Sequence, residues 1–136
     1  MRFYAAGHVL INRRGKYLVT RRSSVASYMP LKWDLPGGKI LPGETVEEAI
    51  RREVKEETQL TIRIGQVIHV YSNIDQVPKR QTFQIVYLAE YISGKVILNP
   101  TEHTSYRWLR YEEIAGLDAI AFLKDLVDSY KPPSIL

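Results

Sequence analysis

Most of this chain alternates or clusters its apolar residues over short runs, and one stretch follows a helical period instead. Phe3 to Asn12, with Val9, Leu10 and Ile11, reads as a strand. Asn12-Arg13-Arg14-Gly15 is a turn signal and Lys16 to Arg21 a second strand, so the two predict a hairpin. Ser23 to Pro30 is a Ser-rich loop carrying Tyr28 and Met29. Beyond the helical stretch, Thr61 to Tyr71 is rich in β-branched residues and predicts a strand. Ser72 to Lys79 is polar, holds Pro78 and predicts a loop, and Arg80 to Tyr91 predicts a long strand with Phe83, Ile85, Tyr87 and Leu88. Ser93-Gly94-Lys95 turns into Val96-Ile97-Leu98, and a further strand is expected from Tyr106 to Leu109. Glu112 to Ile114 suggests a short helical turn. Asp118 is placed to cap a last helix from Ala119 to about Tyr130, whose apolar positions are Ile120, Phe122, Leu123, Leu126 and Val127. Strands, helix, strands, helix predict one α/β sandwich, a mixed sheet with helices on both faces.

The helical stretch runs from Gly37 to Leu60. Pro42-Gly43 suits the centre of a type II turn, Thr45 is a candidate N-cap, and Glu48 three residues on completes a capping box. At roughly 100° per residue, Val46, Ala49, Ile50 and Val54 form one apolar arc. Glu53 and Glu57 project into that arc and Glu56 lies at its edge, whereas Glu47, Arg51 and Lys55 point elsewhere. Solvated acids belong on the polar face of an amphipathic helix. Burying unpaired carboxylates is expensive, and a bound cation is the usual compensation. Clustered oxygen ligands suit Mg²⁺ or Mn²⁺ rather than zinc. The alternative is a charged helix laced by surface pairs such as Glu48 with Arg52.

Composition narrows this only a little. The 136 residues are one domain's worth, expected as a single unit over 1–136. No apolar run reaches transmembrane length, and the N-terminus lacks the long apolar region of a signal peptide. The absence of cysteine excludes disulfide and thiolate chemistry and makes a reducing cytoplasm the default expectation. The net charge is +4 although six acids fall between Glu44 and Glu57, so the basic excess lies outside the helix. It could draw a polyphosphate toward the acids. A charge this modest does not imply nucleic-acid binding, and nothing suggests a membrane partner.

The helical stretch resembles the Nudix box, Gly-x5-Glu-x7-Arg-Glu-U-x-Glu-Glu-x-Gly-U with U aliphatic. Gly38, Glu44, Arg52-Glu53, Val54, Glu56-Glu57 and Leu60 fill its slots, and only the second Gly is replaced, by Gln59. In the family that Gly ends the helix, where Gln in a left-handed conformation would cost about 1–2 kcal/mol. The resemblance implies a Nudix α/β/α sandwich and Mg²⁺-dependent hydrolysis of a phosphoanhydride, with Mn²⁺ as substitute. It implies that Glu53, Glu56 and Glu57, with the Gly38 carbonyl, hold metal. The acid six residues before Trp108 is Glu102, similar to one that binds metal or activates water in MutT-type members, and His103 beside it is weaker. Glu53 and Glu102 are both candidates for the base, and Arg52 is expected to orient the glutamates.

In the family the run before the box lies beside the substrate, so the resemblance makes Trp33 and Leu35 candidates to touch a base, though Trp33 reads equally well as core. The resemblance implies that Gly37 and Lys39 belong to the same run beside the substrate, and it makes Leu117 and Asp118 weaker candidates for base contact. Arg21 and Arg22 are candidates for phosphate or ribose, with ordinary surface charge an equal reading. His8, beside Gly7 in mid-strand, reads as structural. The expected substrate is a nucleoside triphosphate cleaved to monophosphate and pyrophosphate. ADP-ribose, nucleotide-sugar or dinucleoside polyphosphate hydrolysis is the alternative, and a non-catalytic nucleotide-sensing module is an alternative of another class. The partner is a small nucleotide, and a homodimer stays open.

Overall fold

The computed structural model describes residues 1–133; the last three positions of the expected domain, 134–136, lie outside the described residues. The strands are β1 (Arg2–Arg13), β2 (Lys16–Arg22), β3 (Trp33–Asp34), β4 (Gly37–Lys39), β5 (Thr61–Gln76), β6 (Lys79–Ser93) and β7 (His103–Leu109). The helices are α1 (Val46–Thr58), α2 (Tyr111–Ile114) and α3 (Ala121–Ser129). The seven strands form one mixed sheet in the order β3-β2-β1-β6-β5, with β4 paired to β1 and β7 to β2. Strands β1 and β6 run parallel and the other pairs antiparallel.

The two-residue period of β1 builds both halves of the core. Leu10 faces Phe122, Leu123 and Leu126 of α3. Val9 and Ile11 face Ile50 and Val54 of α1. Helices therefore cover both faces of the sheet, as the element order predicts. Among the described residues no helix is long and apolar enough to cross a membrane.

The structure corrects several local expectations. Ser72 to Lys79 is not a loop: β5 runs on to Gln76 and pairs Ser72 with Phe83, Asn73 with Thr82 and Ile74 with Gln81. This end of the β5–β6 ribbon is largely solvated, so polarity there does not mark a loop. Pro78 sits in the two-residue turn, where it removes no ladder donor. Val96-Ile97-Leu98 is outside any strand, and β7 begins at His103 rather than Tyr106. Asp118 does not cap the last helix. The Trp33 N–H donates to the Asp118 carbonyl and the Ile120 N–H to the Trp33 carbonyl, which holds 118–120 extended against β3. The N-cap is Ile120, and Asp118 pairs with Lys32 at 2.6 Å instead.

Candidate active site

Helix α1 starts as its sequence dictates. The Glu48 N–H donates to Thr45 Oγ1 at 3.1 Å, satisfying one of the orphan donors of the first turn. The return half of the capping box differs: the Glu48 carboxylate takes the Thr45 hydroxyl, also at 3.1 Å. At the other end Gln59 is left-handed, φ 65° and ψ 13°, and its N–H closes on the Lys55 carbonyl. The residue replacing the family's Gly thus holds the conformation a Gly is used for.

Between these caps the helix buries Ala49, Ile50 and Val54, and with them Glu57, only 6% exposed. Among the described residues one polar contact supports Glu57, from the Gly37 N–H to Oε2 at 3.1 Å. Burial pushes its carboxyl well above the usual carboxylate range, and Asp34, Glu53 and Glu102 push the same way. Glu53 is also raised, by burial first, against the opposing pull of Arg52. Glu56 is exposed at the edge, within 3.5 Å of Arg52.

Arg52 clamps this group. Its Nε and Nη2 fork onto the two Glu44 oxygens at 2.7 and 2.9 Å. Nη2 also donates to the Lys39 carbonyl at 3.1 Å, and Nη1 reaches Glu53 at 2.8 Å and Glu56 at 3.5 Å. All five guanidinium donors are thereby engaged, so Arg52 orients carboxylates and keeps nothing free for substrate. These bonds hold the Glu44 carboxyl down at about 2.

The two glycines before the helix are held by close approach. A Cβ on Gly38 would stand 2.7 Å from the Glu53 carboxyl carbon, and one on Gly37, at φ 145°, would stand 2.1 Å from the Gly7 carbonyl oxygen. Opposite them, Glu102 sits in the turn before β7. Glu57, Glu102 and His103 each offer a ligand atom within 4.8 Å of the others, a cluster able to hold a metal ion. His103 is buried, which lowers its pKa, and it ranks closer to the acids than its sequence context suggests.

A cavity of about 590 Å³ carries Glu53, Glu57, Glu102, His103, Gly37 and Lys39 on its wall. A second, of about 270 Å³, is lined by His8, Tyr28, Arg80, Gln84 and Phe122 among others. The two share Arg22, Ser27, Gly38 and Lys39 and so form one cleft, acidic at one end and aromatic and amide-lined at the other. A further cavity of about 570 Å³, beside Tyr17, Tyr111 and Pro132, shares no residue with this cleft.

The structure therefore brings together Gly37, Gly38, Lys39, Arg22, Glu53, Glu57 and Glu102. It places other candidates elsewhere. Trp33 and Leu35 are 8% and 1% exposed and pack in the core with α3, so their side chains do not line the cleft. Arg21 donates to the Leu31 carbonyl outside both cavities. Leu117 packs against the core, and Asp118 is tied to Lys32.

Sequence reasoning missed His8 as a wall residue, and it missed Tyr28, Arg80, Gln84 and Phe122. It also missed Asp34, buried with Arg22 at 3.3 Å and accepting the Leu35 N–H. One signal was available: Gln84 stands alone among Phe83, Ile85 and Val86 in the middle of an apolar strand.

Comparison with known proteins adds three findings. The NUDIX domain family matches residues 1–130. The chain is 35% identical over 101 residues to a Bacillus subtilis protein named "Putative 8-oxo-dGTP diphosphatase", covering 74% of this chain and 62% of that one. It is 37% identical over 89 residues to an ADP-ribose pyrophosphatase of Methanocaldococcus jannaschii, covering 64% of this chain and 50% of that one. The chain thus spans about half to three fifths of the length of these relatives. Its fold superposes on the crystal structure of a MutT protein from Methanosarcina mazei with a TM-score of 0.84 at 32% identity, covering 93% and 91% of the two chains.

Proposed function

Because the chain belongs to the Nudix family, we propose that it is a Mg²⁺-dependent hydrolase of nucleotide phosphoanhydrides, acting first of all on nucleoside triphosphates to release monophosphate and pyrophosphate. The observation that carries this reading is Glu57. A carboxylate this buried, beside Glu53 and Glu102 and met among the described residues by a single N–H, suits a bound cation.

The donor set fits a hard divalent cation. Glu53, Glu57 and Glu102 offer oxygens on the wall of one cavity, the family pattern adds Glu56 at its edge and the Gly38 carbonyl, and Mg²⁺ takes such ligands. His103 lies close enough to tolerate Mn²⁺ as well. When bound, the ion neutralises the diphosphate and makes water a better nucleophile.

The chain's own residues do the rest. Lys39 and Arg22, on the wall between the two cavities, face the polyphosphate. Glu53, half-buried with a raised pKa and held by Arg52, takes the proton from the attacking water as its oxygen bonds to phosphorus. The anhydride P–O bond breaks and pyrophosphate leaves. Glu102, exposed at the cavity mouth, is the ligand on the opposite wall. The second cavity, with Phe122, Tyr28 and Gln84, takes the nucleobase.

The Bacillus relative's name, an oxidised guanine triphosphate, supports triphosphates. The Methanocaldococcus relative's name supports ADP-ribose as the second reading. The deciding experiment is a phosphate and pyrophosphate release screen with Mg²⁺ or Mn²⁺. It spans nucleoside triphosphates and their oxidised forms, ADP-ribose, nucleotide sugars and diadenosine polyphosphates. Pyrophosphate from a triphosphate, abolished by Glu57→Gln, is the expected result. Nucleotide binding without product from any compound would replace the enzyme with a sensing module.

A further inference from the structure

The second cavity contains a hydrogen-bond chain that the hydrolysis does not use. Gln84 is 8% exposed and both ends of its amide are held. Nε2 donates to Asn73 Oδ1 at 3.0 Å, and Oε1 pairs with His8 Nε2 at 2.8 Å. Asn73 comes from β5, Gln84 from β6 and His8 from β1. The His8 ring is fixed in turn by Phe122, whose ring centroid lies 4.2 Å away.

The direction of this chain follows from His8. Its Nδ1 is buried and has no partner among the described residues. A buried N–H without an acceptor is rarer than a buried acceptor without a donor. The proton therefore sits on Nε2 and is donated to Gln84 Oε1. That orients the amide with oxygen toward β1 and nitrogen toward β5. One N–H of Nε2 and one lone pair of Oε1 remain for a ligand.

A free glutamine can flip and so accept either of two base edges. Adenine and cytosine present an exocyclic amino donor beside a ring-nitrogen acceptor; hypoxanthine, guanine and uracil present an oxo acceptor beside a ring N–H. An amide locked at both ends fits only one of these orders in a given pose. We propose that Gln84 is a specificity-determining residue that separates 6-amino or 4-amino bases from their oxo counterparts, and that Asn73 and His8 are positioning residues that fix its amide. This rests on the reading of the second cavity as the base site.

The test uses nucleotide pairs that differ only at that edge, ATP against ITP and CTP against UTP, with ADP-ribose and its inosine counterpart alongside. Wild type should favour one member of at least one pair by roughly 10- to 100-fold in kcat/KM, the range of one good bidentate base contact. Gln84→Met should bring that ratio within about threefold. Asn73→Leu should narrow it by raising the disfavoured member, because the amide is then held at the His8 end alone. Asn73→Asp, which still accepts from Nε2, should restore it.

A merely structural role would lower both members together and leave the ratio unchanged. That result, or equal wild-type rates within every pair, overturns the inference while leaving the hydrolase reading in place. If wild type turns over nothing, the hydrolase reading fails instead. The inference is then decided by calorimetric affinities for AMP and IMP, with the same variants and the same expected ratios.

Discussion

Helices α1 and α3 cover opposite faces of one sheet, and they bury different chemistry. Helix α3 contributes Phe122, Leu123 and Leu126, all apolar, at no electrostatic cost. Helix α1 contributes Ala49, Ile50 and Val54 and then, one turn further along the same stripe, Glu57. The first helix follows only the hydrophobic effect. The second gives up stability where its stripe reaches the cleft, since a buried carboxylate with one N–H partner is poorly compensated. The difference helps to separate packing from function without reference to activity: Leu123 and Leu126 of α3 are explained by what they cover, with Phe122 alone also walling the second cavity, whereas the inward Glu57 of α1 is not explained by packing.

Removing the Glu57 charge is the sharpest way to break this contrast. Glu57→Gln should lower turnover by about 1,000-fold or more while leaving the metal-free melting temperature unchanged or higher. The pH dependence has a definite sign. Burial raises the Glu57 pKa above an unfolded value of about 4.3, so the native state holds a proton that the unfolded chain releases. The associated stabilisation is complete below pH of about 4.3 and is lost as pH rises through the native pKa. Metal-free wild type should therefore lose more stability than the variant between acid and neutral pH. Mg²⁺ should raise the melting temperature of wild type more than that of the variant. Wild-type turnover in Glu57→Gln would remove α1 from the chemistry.

On the opposite face the reverse pattern is expected. Leu123 is fully buried, and Leu123→Ala should cost about 2–5 kcal/mol by leaving a cavity. Below the new melting point, kcat/KM per folded molecule should stay near wild type. A large loss of kcat/KM with an intact fold would mean that Leu123 does more than fill the core.

Gly38→Ala asks whether geometry, not only charge, matters on the α1 side. Gly38 has no positive φ, so the backbone tolerates alanine, but the added Cβ would stand 2.7 Å from the Glu53 carboxyl carbon. Displacing that carboxylate should lower kcat roughly 10- to 100-fold, since small misplacements of catalytic groups have effects of this order. Circular dichroism should be unchanged, and unaltered kcat would show that Glu53 has room to move without consequence.

The acidic end of the cleft was legible in the sequence because it is local. Gly38, Glu44, Arg52, Glu53 and Glu57 lie within 20 residues; helical geometry turns the Glu53–Glu57 spacing into a shared face, and the short turn before α1 keeps Gly38 and Glu44 beside it. Glu102 was found only through the family resemblance, which implies an acid six residues before Trp108. The base end was not legible, because His8, Asn73, Gln84 and Phe122 come from four elements. The parallel β1–β6 register, Ala6 opposite Gln84, and the β5–β6 register bring the first three together, and the packing of α3 on the sheet adds Phe122. Trp33 and Leu35 were drawn toward the substrate by their place beside Gly37-Gly38. Strand alternation sends them into the core instead.

The smallest expected effect tests the end of α1. Gln59 holds φ 65°, a conformation that costs a side-chain-bearing residue about 1–2 kcal/mol. Gln59→Gly relieves that strain, but it also loosens the unfolded chain, which takes back about 0.4–1 kcal/mol. The net gain should be below about 1.5 kcal/mol, a rise of a few degrees in melting temperature. Turnover should not change, because Gln59 lies outside both cavities of the cleft. A fall in stability would show that the glutamine side chain contributes contacts exceeding its strain. A change in turnover would show that the position of Glu57, two residues earlier, depends on how the helix ends.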